Sequence, residues 1–230
     1  MTRAFTVIDA PQRSPEWRKI RAGRLTASVA DAVTAKGRNG EEAVTRRDLR
    51  LRLVCERLTG EPQEDGYQNG DMLRGIELEP AAFAAYEALT GEVAHRVGFC
   101  AGEDMTGCSP DGMVDDGVRL FVGVVELKCP KSATHLGYLR AGVLPTTYVP
   151  QVTHTLWVTG AAWCDFLSFD PRFPPALQTF LIRVHRADLD IDGYAKKALA
   201  FLDEETAETE AVRTLADTAG QLRASLALRG

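Results

Sequence analysis

Cys108-Ser109-Pro110-Asp111-Gly112, followed fifteen residues after its aspartate by Glu126-Leu127-Lys128, puts two carboxylates and an amine in a fixed order. The second group lies in an apolar run, Phe121-Val122-Gly123-Val124-Val125-Glu126-Leu127-Lys128-Cys129-Pro130. Val and Phe at this density predict a buried strand. Strand side chains alternate, so Glu126 and Lys128 project from one face. A carboxylate and an ammonium side by side on a core strand are costly unless something requires them. Metal-dependent phosphodiester cleavage does: two carboxylates, Asp111 and Glu126, hold a hard divalent cation, and a lysine orients or deprotonates the attacking water. Each half alone reads as an ordinary turn or a strand-end ion pair, because short motifs recur by chance. Together, on an apolar strand, they point to a site.

The elements that must position these residues follow from local signals. Ser14-Pro15-Glu16-Trp17 reads as a helix start, with Gly23 as its end. Thr26 or Ser28 is expected to cap a second short helix ending near Gly37. A third is expected from about Glu41 to Thr59, and a fourth from near Asp71 to Gly91, with Pro80 as a site for a kink. The pattern then changes. Val93–Cys100, Met105–Ser109 and Leu120–Lys128 read as strands, with Asp115-Asp116-Gly117 as a turn. Helices are expected near Ala133–Arg140 and over Tyr148–Val158, and strands at Trp163–Ser168 and Thr179–His185. The stretch from about Tyr194 is rich in Ala, Glu and Leu and reads as helical. The result is an α/β core, spanning 92–186, behind a mostly helical part, 1–91, and before a helical segment, 187–230, all in one domain.

The 230 residues, 45% of them hydrophobic, suffice for one sizeable core. No stretch approaches the roughly eighteen apolar residues of a membrane span, and Met1-Thr2-Arg3-Ala4-Phe5 has no apolar signal region. Five cysteines (Cys55, Cys100, Cys108, Cys129, Cys164) form an odd set without a CxxC pair, which predicts reduced thiols in a cytoplasm and no zinc site. The four scattered histidines lack the spacing of a metal pair. A net charge of −5 argues against nucleic acid. Its distribution softens that objection: residues 1–60 hold 13 Lys and Arg against 7 Asp and Glu, and the rest of the chain holds 14 against 25. The densest basic cluster, Arg46-Arg47-Asp48-Leu49-Arg50-Leu51-Arg52, reads equally as a solvated helix face or a phosphate contact.

The Asp111, Glu126, Lys128 triad resembles that of the PD-(D/E)xK nucleases. The likeness widens to one recombination family. Trp17-Arg18-Lys19-Ile20-Arg21-Ala22-Gly23-Arg24-Leu25-Thr26-Ala27-Ser28 is similar to the W-x-x-x-R-x-G-x-x-T-A-S segment of the phage lambda exonuclease-like viral recombinases. Gly75 with Glu79 matches that family's G-x-x-x-E. Cys108–Gly112, Glu126–Pro130, Gln151-Val152 with Trp157-Val158-Thr159, and Phe169-Asp170-Pro171-Arg172 recur in order, so the resemblance covers roughly residues 15–185. An extra acidic residue that the family often carries ahead of S-P-D-G has no clear counterpart, and Glu103 and Asp104 are assigned no role.

The resemblance implies a restriction-endonuclease-like core, a mixed central sheet flanked by helices. It implies a ring-shaped homotrimer that uses Mg²⁺, with Mn²⁺ able to substitute, to digest the 5′-ended strand of linear duplex DNA. The 3′ overhang would pass to a single-strand annealing protein in the cytoplasm of a bacterial host, for a phage or prophage. Asp111, Glu126 and the carbonyl of Leu127 would hold metal, and Lys128 would position water. Glu79 would act from the opposite wall through metal-bound water, and Gln151 would hydrogen-bond substrate or Lys128. Arg21 and Ser28 would form a pocket for a terminal phosphate. Met72 and Leu73 stand where the family places an apolar wedge, although each alone reads as core packing. Trp17 reads as a core or staple residue. Two other readings remain: an endonuclease of the same fold, and a non-catalytic DNA-binding or assembly protein on a nuclease fold.

Overall fold

The structure, a computed structural model, describes residues 4–63, 70–117 and 121–227, with 219–227 described as backbone only. Strand β1 (Phe5–Ile8) leads into α1 (Pro15–Arg21). The Ser14 hydroxyl caps α1 by accepting the Trp17 N–H at 3.1 Å, and Pro15 fills the first turn, where no N–H is needed. β2 (Leu25–Thr26), α2 (Ala30–Thr34), α3 (Val44–Thr59) and α4 (Gly70–Thr90) follow. Then come β3 (Ala94–His95), β4 (Phe99–Gly102), β5 (Thr106–Cys108), β6 (Gly112–Val114) and β7 (Gly123–Lys128). The chain closes with α5 (Ser132–Ala141), α6 (Val149–Thr159), β8 (Trp163–Phe169), β9 (Thr179–His185) and α7 (Ile191–Ala227).

Four strands form one sheet in the order β1-β4-β5-β2, and five form a second in the order β3-β6-β7-β8-β9. The second is mixed: β7 and β8 run parallel, joined through α5 and α6, and the remaining pairs are antiparallel. Its central strand β7 is buried on both faces. Val124 joins the larger core with Leu156 of α6 and Leu53 of α3. Val125 and Leu127 join a second core with Tyr86 of α4 and Leu167 of β8. Burial on both faces explains why β7 reads as a continuous apolar run rather than an alternation. Burying each such aliphatic side chain stabilises by about 1.5–3 kcal/mol, and this fixes where Glu126 and Lys128 emerge. Tyr86 also donates its hydroxyl to buried Asp165 of β8 at 2.9 Å, and Arg183 of β9 grips the same carboxylate at 2.7 and 2.8 Å. α4 is thereby pinned across the sheet.

The expected α/β class and most elements hold, and several details differ. Residues 93–100 form two strands in two sheets, because the chain turns at Gly98. β1, β2 and β6 were not expected; at two to four residues they carry no periodic signal, and pairing alone makes them. The front of the chain is accordingly helical with two strands rather than purely helical. Thr26 precedes a single 3-10 turn, Ala27–Val29, but its hydroxyl makes no cap bond, and Ser28 lies inside that turn; α2 begins after Val29 and ends at Thr34. Pro80 lies inside α4, which continues through it. The expected start of a strand at Leu120 lies outside the described residues.

Candidate active site

Asp111 opens β6. Its N–H donates to the Val125 carbonyl at 3.0 Å, and its Oδ2 accepts the Leu127 N–H at 2.6 Å. The turn thus fixes its carboxylate against β7. Glu126 is buried, and its Oε1 accepts both the Lys128 ammonium and the Gln151 Nε2 of α6, the latter at 2.5 Å. Gln151 was expected to reach substrate or Lys128; its partner is the carboxylate between them. Lys128 lies 5.2 Å from the Tyr148 ring centroid. Burial, then the charge of Glu126, pushes the Asp111 carboxyl up to about 7. For Lys128 burial pulls the other way, but Glu126 and Asp111 outweigh it and hold the ammonium above the ordinary lysine value.

Among the described residues no group of three or more His, Cys, Asp and Glu gathers as a metal site. The donor set here is smaller and all oxygen: Asp111, Glu126 and the carbonyl of Leu127. Oxygen donors suit Mg²⁺ or Mn²⁺ rather than zinc. With Asp111 held against β7 beside Glu126, this oxygen set fits a divalent cation.

Asp111 also lines a cleft of about 650 Å³ with the 9–13 loop, Glu79 of α4, Arg96, Val97 and Gly98. Glu79 faces Asp111 from the far wall, where Arg13 holds one of its oxygens at 2.7 Å and Arg96 the other at 2.8 Å. Gln12 fastens the loop, donating to the carbonyls of Val97 at 3.2 Å and Pro110 at 3.1 Å. Gly98 is required there: a Cβ would lie 2.3 Å from the Ala10 carbonyl oxygen. Neither Arg13 nor Arg96 stood out in the sequence, and only the basic balance of the N-terminal third hinted at Arg13.

Trp17 is buried with Ala10 and Phe99, as expected of a core residue. Its indole N–H also donates to the Ser109 hydroxyl at 2.8 Å, two residues before Asp111. Arg21 stacks on the Trp17 ring at 3.9 Å and donates to Ser28 at 3.2 Å and Thr26 at 3.4 Å. The hydroxyls expected to cap a helix instead face this guanidinium. Arg18, Arg21, Arg24 and Arg52 line one small pocket with Thr26 and Glu56.

Met72 and Leu73 are 50% and 46% exposed, which corrects the core-packing reading of each taken alone. Arg46 and Arg50 pair with Glu42, Glu204 and Glu208 between α3 and α7, so this part of the basic cluster is a helix seam. Glu103 and Asp104 form the tight β4–β5 connection, where the Glu103 carbonyl accepts the Thr106 N–H at 3.1 Å. His154 is a satisfied core residue between the Tyr194 hydroxyl at 2.7 Å and the Gly107 carbonyl at 3.1 Å. Among the described residues no helix is long and apolar enough to cross a membrane.

Comparison with known proteins gives a consistent placement. Residues 16–162 match the model of the YqaJ-like viral recombinase domain. The chain is similar to LHK-Exo, an alkaline exonuclease from Laribacter hongkongensis, at 36% identity and a TM-score of 0.79, over 90% of this chain and 100% of that one. The same figures hold for the crystal structure of LHK-Exo in complex with dAMP. A phage related exonuclease from Haemophilus somnus 129PT shares the fold, at 13% identity and a TM-score of 0.59, over 84% of this chain and 96% of that one. No curated protein matches the chain.

Proposed function

This chain belongs to the YqaJ-like viral recombinase family, and from that membership we propose that it is a Mg²⁺-dependent exonuclease acting on linear duplex DNA. It digests the 5′-ended strand and leaves a 3′ overhang for recombination by single-strand annealing. The observation that carries this reading is the cluster at the end of β7, where Asp111, Glu126, Lys128 and Gln151 meet beside an open cleft. A relative crystallised with dAMP, a mononucleotide, suits an enzyme that releases one nucleotide at a time.

Asp111, Glu126 and the Leu127 carbonyl hold the cation, which when bound supplies charge neutralisation at the attacking and leaving oxygens of an in-line displacement. Lys128 is an ammonium in this arrangement, so it acts as a donor: it orients the attacking water and neutralises charge growing on the phosphate oxygens. Gln151 holds Glu126 in place with its amide. Glu79 acts from the far wall, and its charge orients water in the cleft. Arg21 and Ser28, beside the arginine-lined pocket, take the 5′-terminal phosphate. Trp17 joins that pocket to the turn bearing Asp111. Met72 and Leu73 offer exposed apolar side chains to separate the strands, and three copies close into a ring around DNA, working with an annealing protein in a bacterial cytoplasm.

Digestion of linear duplex labelled at either end, with and without Mg²⁺, tests the reading. Progressive release of 5′-end label as mononucleotide is expected. Conversion of supercoiled plasmid to linear form would point to an endonuclease of this fold. Light scattering that gives a monomer of about 25 kDa with activity retained would reject the ring.

A further inference from the structure

We propose that Arg13 and Arg96 form a phosphate-binding subsite in the cleft, held closed by Glu79 until substrate arrives; this rests on the nuclease reading above. Two guanidiniums face a single carboxylate, at 2.7 and 2.8 Å, on the wall opposite Asp111. Among the described residues, each donates to Glu79 alone. A guanidinium carries five N–H donors in a planar fork, so one carboxylate leaves most of that capacity to a second anion. The two guanidiniums carry one positive charge more than the carboxylate they share, within a cleft that Asp9 and Asp111 also line.

The cluster is also accessible and rigid. The Arg13 and Arg96 side chains are 40% and 49% exposed, whereas Glu79 beneath them is 16% exposed. Arg96 stacks on Phe83 at 4.6 Å, which orients its plane. Arg13 has a left-handed backbone, φ 73°, in a loop that Gln12 ties to Val97 and Pro110. Strain of this kind persists where surrounding contacts impose it. A backbone phosphate of the bound strand, entering beside Asp111, takes over the guanidinium forks and leaves the Glu79 carboxylate facing the cleft. Glu79 thus both competes with DNA before binding and becomes available after it.

The test measures binding of the full-length protein to a 5′-phosphorylated fluorescent duplex in chelator, where nothing is cut, across a salt series. R13A/R96A is expected to weaken binding about tenfold to a hundredfold and to reduce the slope of log affinity against log salt by about one, the loss of one neutralised phosphate. R13K/R96K keeps the charge and should restore the slope, and it keeps the experiment decisive where the alanine pair fails to fold. E79Q should tighten binding in the wild-type background by several-fold and do much less in R13A/R96A or, if that pair does not fold, in single alanine variants. An unchanged affinity and slope, or equal tightening by E79Q in both backgrounds, overturns the subsite. Wild-type digestion with Mg²⁺ run in parallel separates the two readings. If wild type does not cut but the binding pattern holds, the nuclease reading fails and the subsite stands; if wild type cuts and the pattern is absent, the subsite fails.

Discussion

At the seam between α3 and α7, Arg46 and Arg50 meet Glu42, Glu204 and Glu208; in the cleft, Arg13 and Arg96 meet Glu79. The residue types are the same and the balance is opposite. At the seam acids outnumber arginines, and the guanidiniums are 18% and 17% exposed. Arg46 also lies over the Phe201 ring at 5.2 Å. Each guanidinium is held by at least two carboxylates, and the cluster ties two helices together. In the cleft two arginines share one carboxylate and stand half exposed beside a candidate metal site. The difference teaches that an arginine's neighbours, rather than its place in a basic run, decide whether it can meet an incoming anion.

Four measurements sharpen or break this contrast. The largest effect belongs to the acidic side of the cleft. D111A, E126A and K128A should each lower turnover on linear duplex by at least about a thousandfold, since each removes a member of a unit that acts together. D111A should not lower Tm, because removing one of two neighbouring carboxylates relieves repulsion, whereas E126A and K128A each leave a charge without its partner and should lower it. Turnover within tenfold of wild type in any of the three would break the assignment.

Cation binding should be next. The Asp111 carboxyl sits up at about 7 because of burial and Glu126, so Mg²⁺ must displace a proton at lower pH. The apparent Mg²⁺ affinity should be constant above pH 7 and fall about tenfold per unit below it. Calorimetric titration at several pH values checks this, and a flat profile from pH 5 to 8 would place the cation elsewhere. Exhaustive chelation should abolish cutting.

R21A should slow digestion of 5′-phosphorylated duplex about tenfold to a hundredfold and affect 5′-hydroxyl duplex much less, because a charge-assisted contact is worth about 1.5–3 kcal/mol. Equal slowing of both would make Arg21 a general backbone contact. The smallest effect separates the seam from the cleft. R50A should cost about 1 kcal/mol, roughly 2–4 °C in Tm, and leave turnover and the salt slope of DNA binding unchanged. A changed slope would mean that the seam arginines also meet DNA.

Local pattern alone determined much of this protein. The apolar run around β7 established a buried strand, and its two-residue period put Glu126 and Lys128 on one face. The Ser14 cap and Pro15 marked α1, and the order of Asp111, Glu126 and Lys128 marked a candidate site whose members the fold brings together. These signals are legible because they depend on neighbours within a few residues. Tertiary structure decided the rest. β1, β2 and β6 exist only through partners distant in the chain, and the 93–100 segment divides between two sheets for the same reason. Gln151 finds Glu126 rather than Lys128, Thr26 and Ser28 turn to Arg21, and Arg13 meets Arg96 over Glu79. A charged side chain can pair with any opposite charge within reach, so its partner is set by which surfaces the core brings together and not by the residues beside it in the chain.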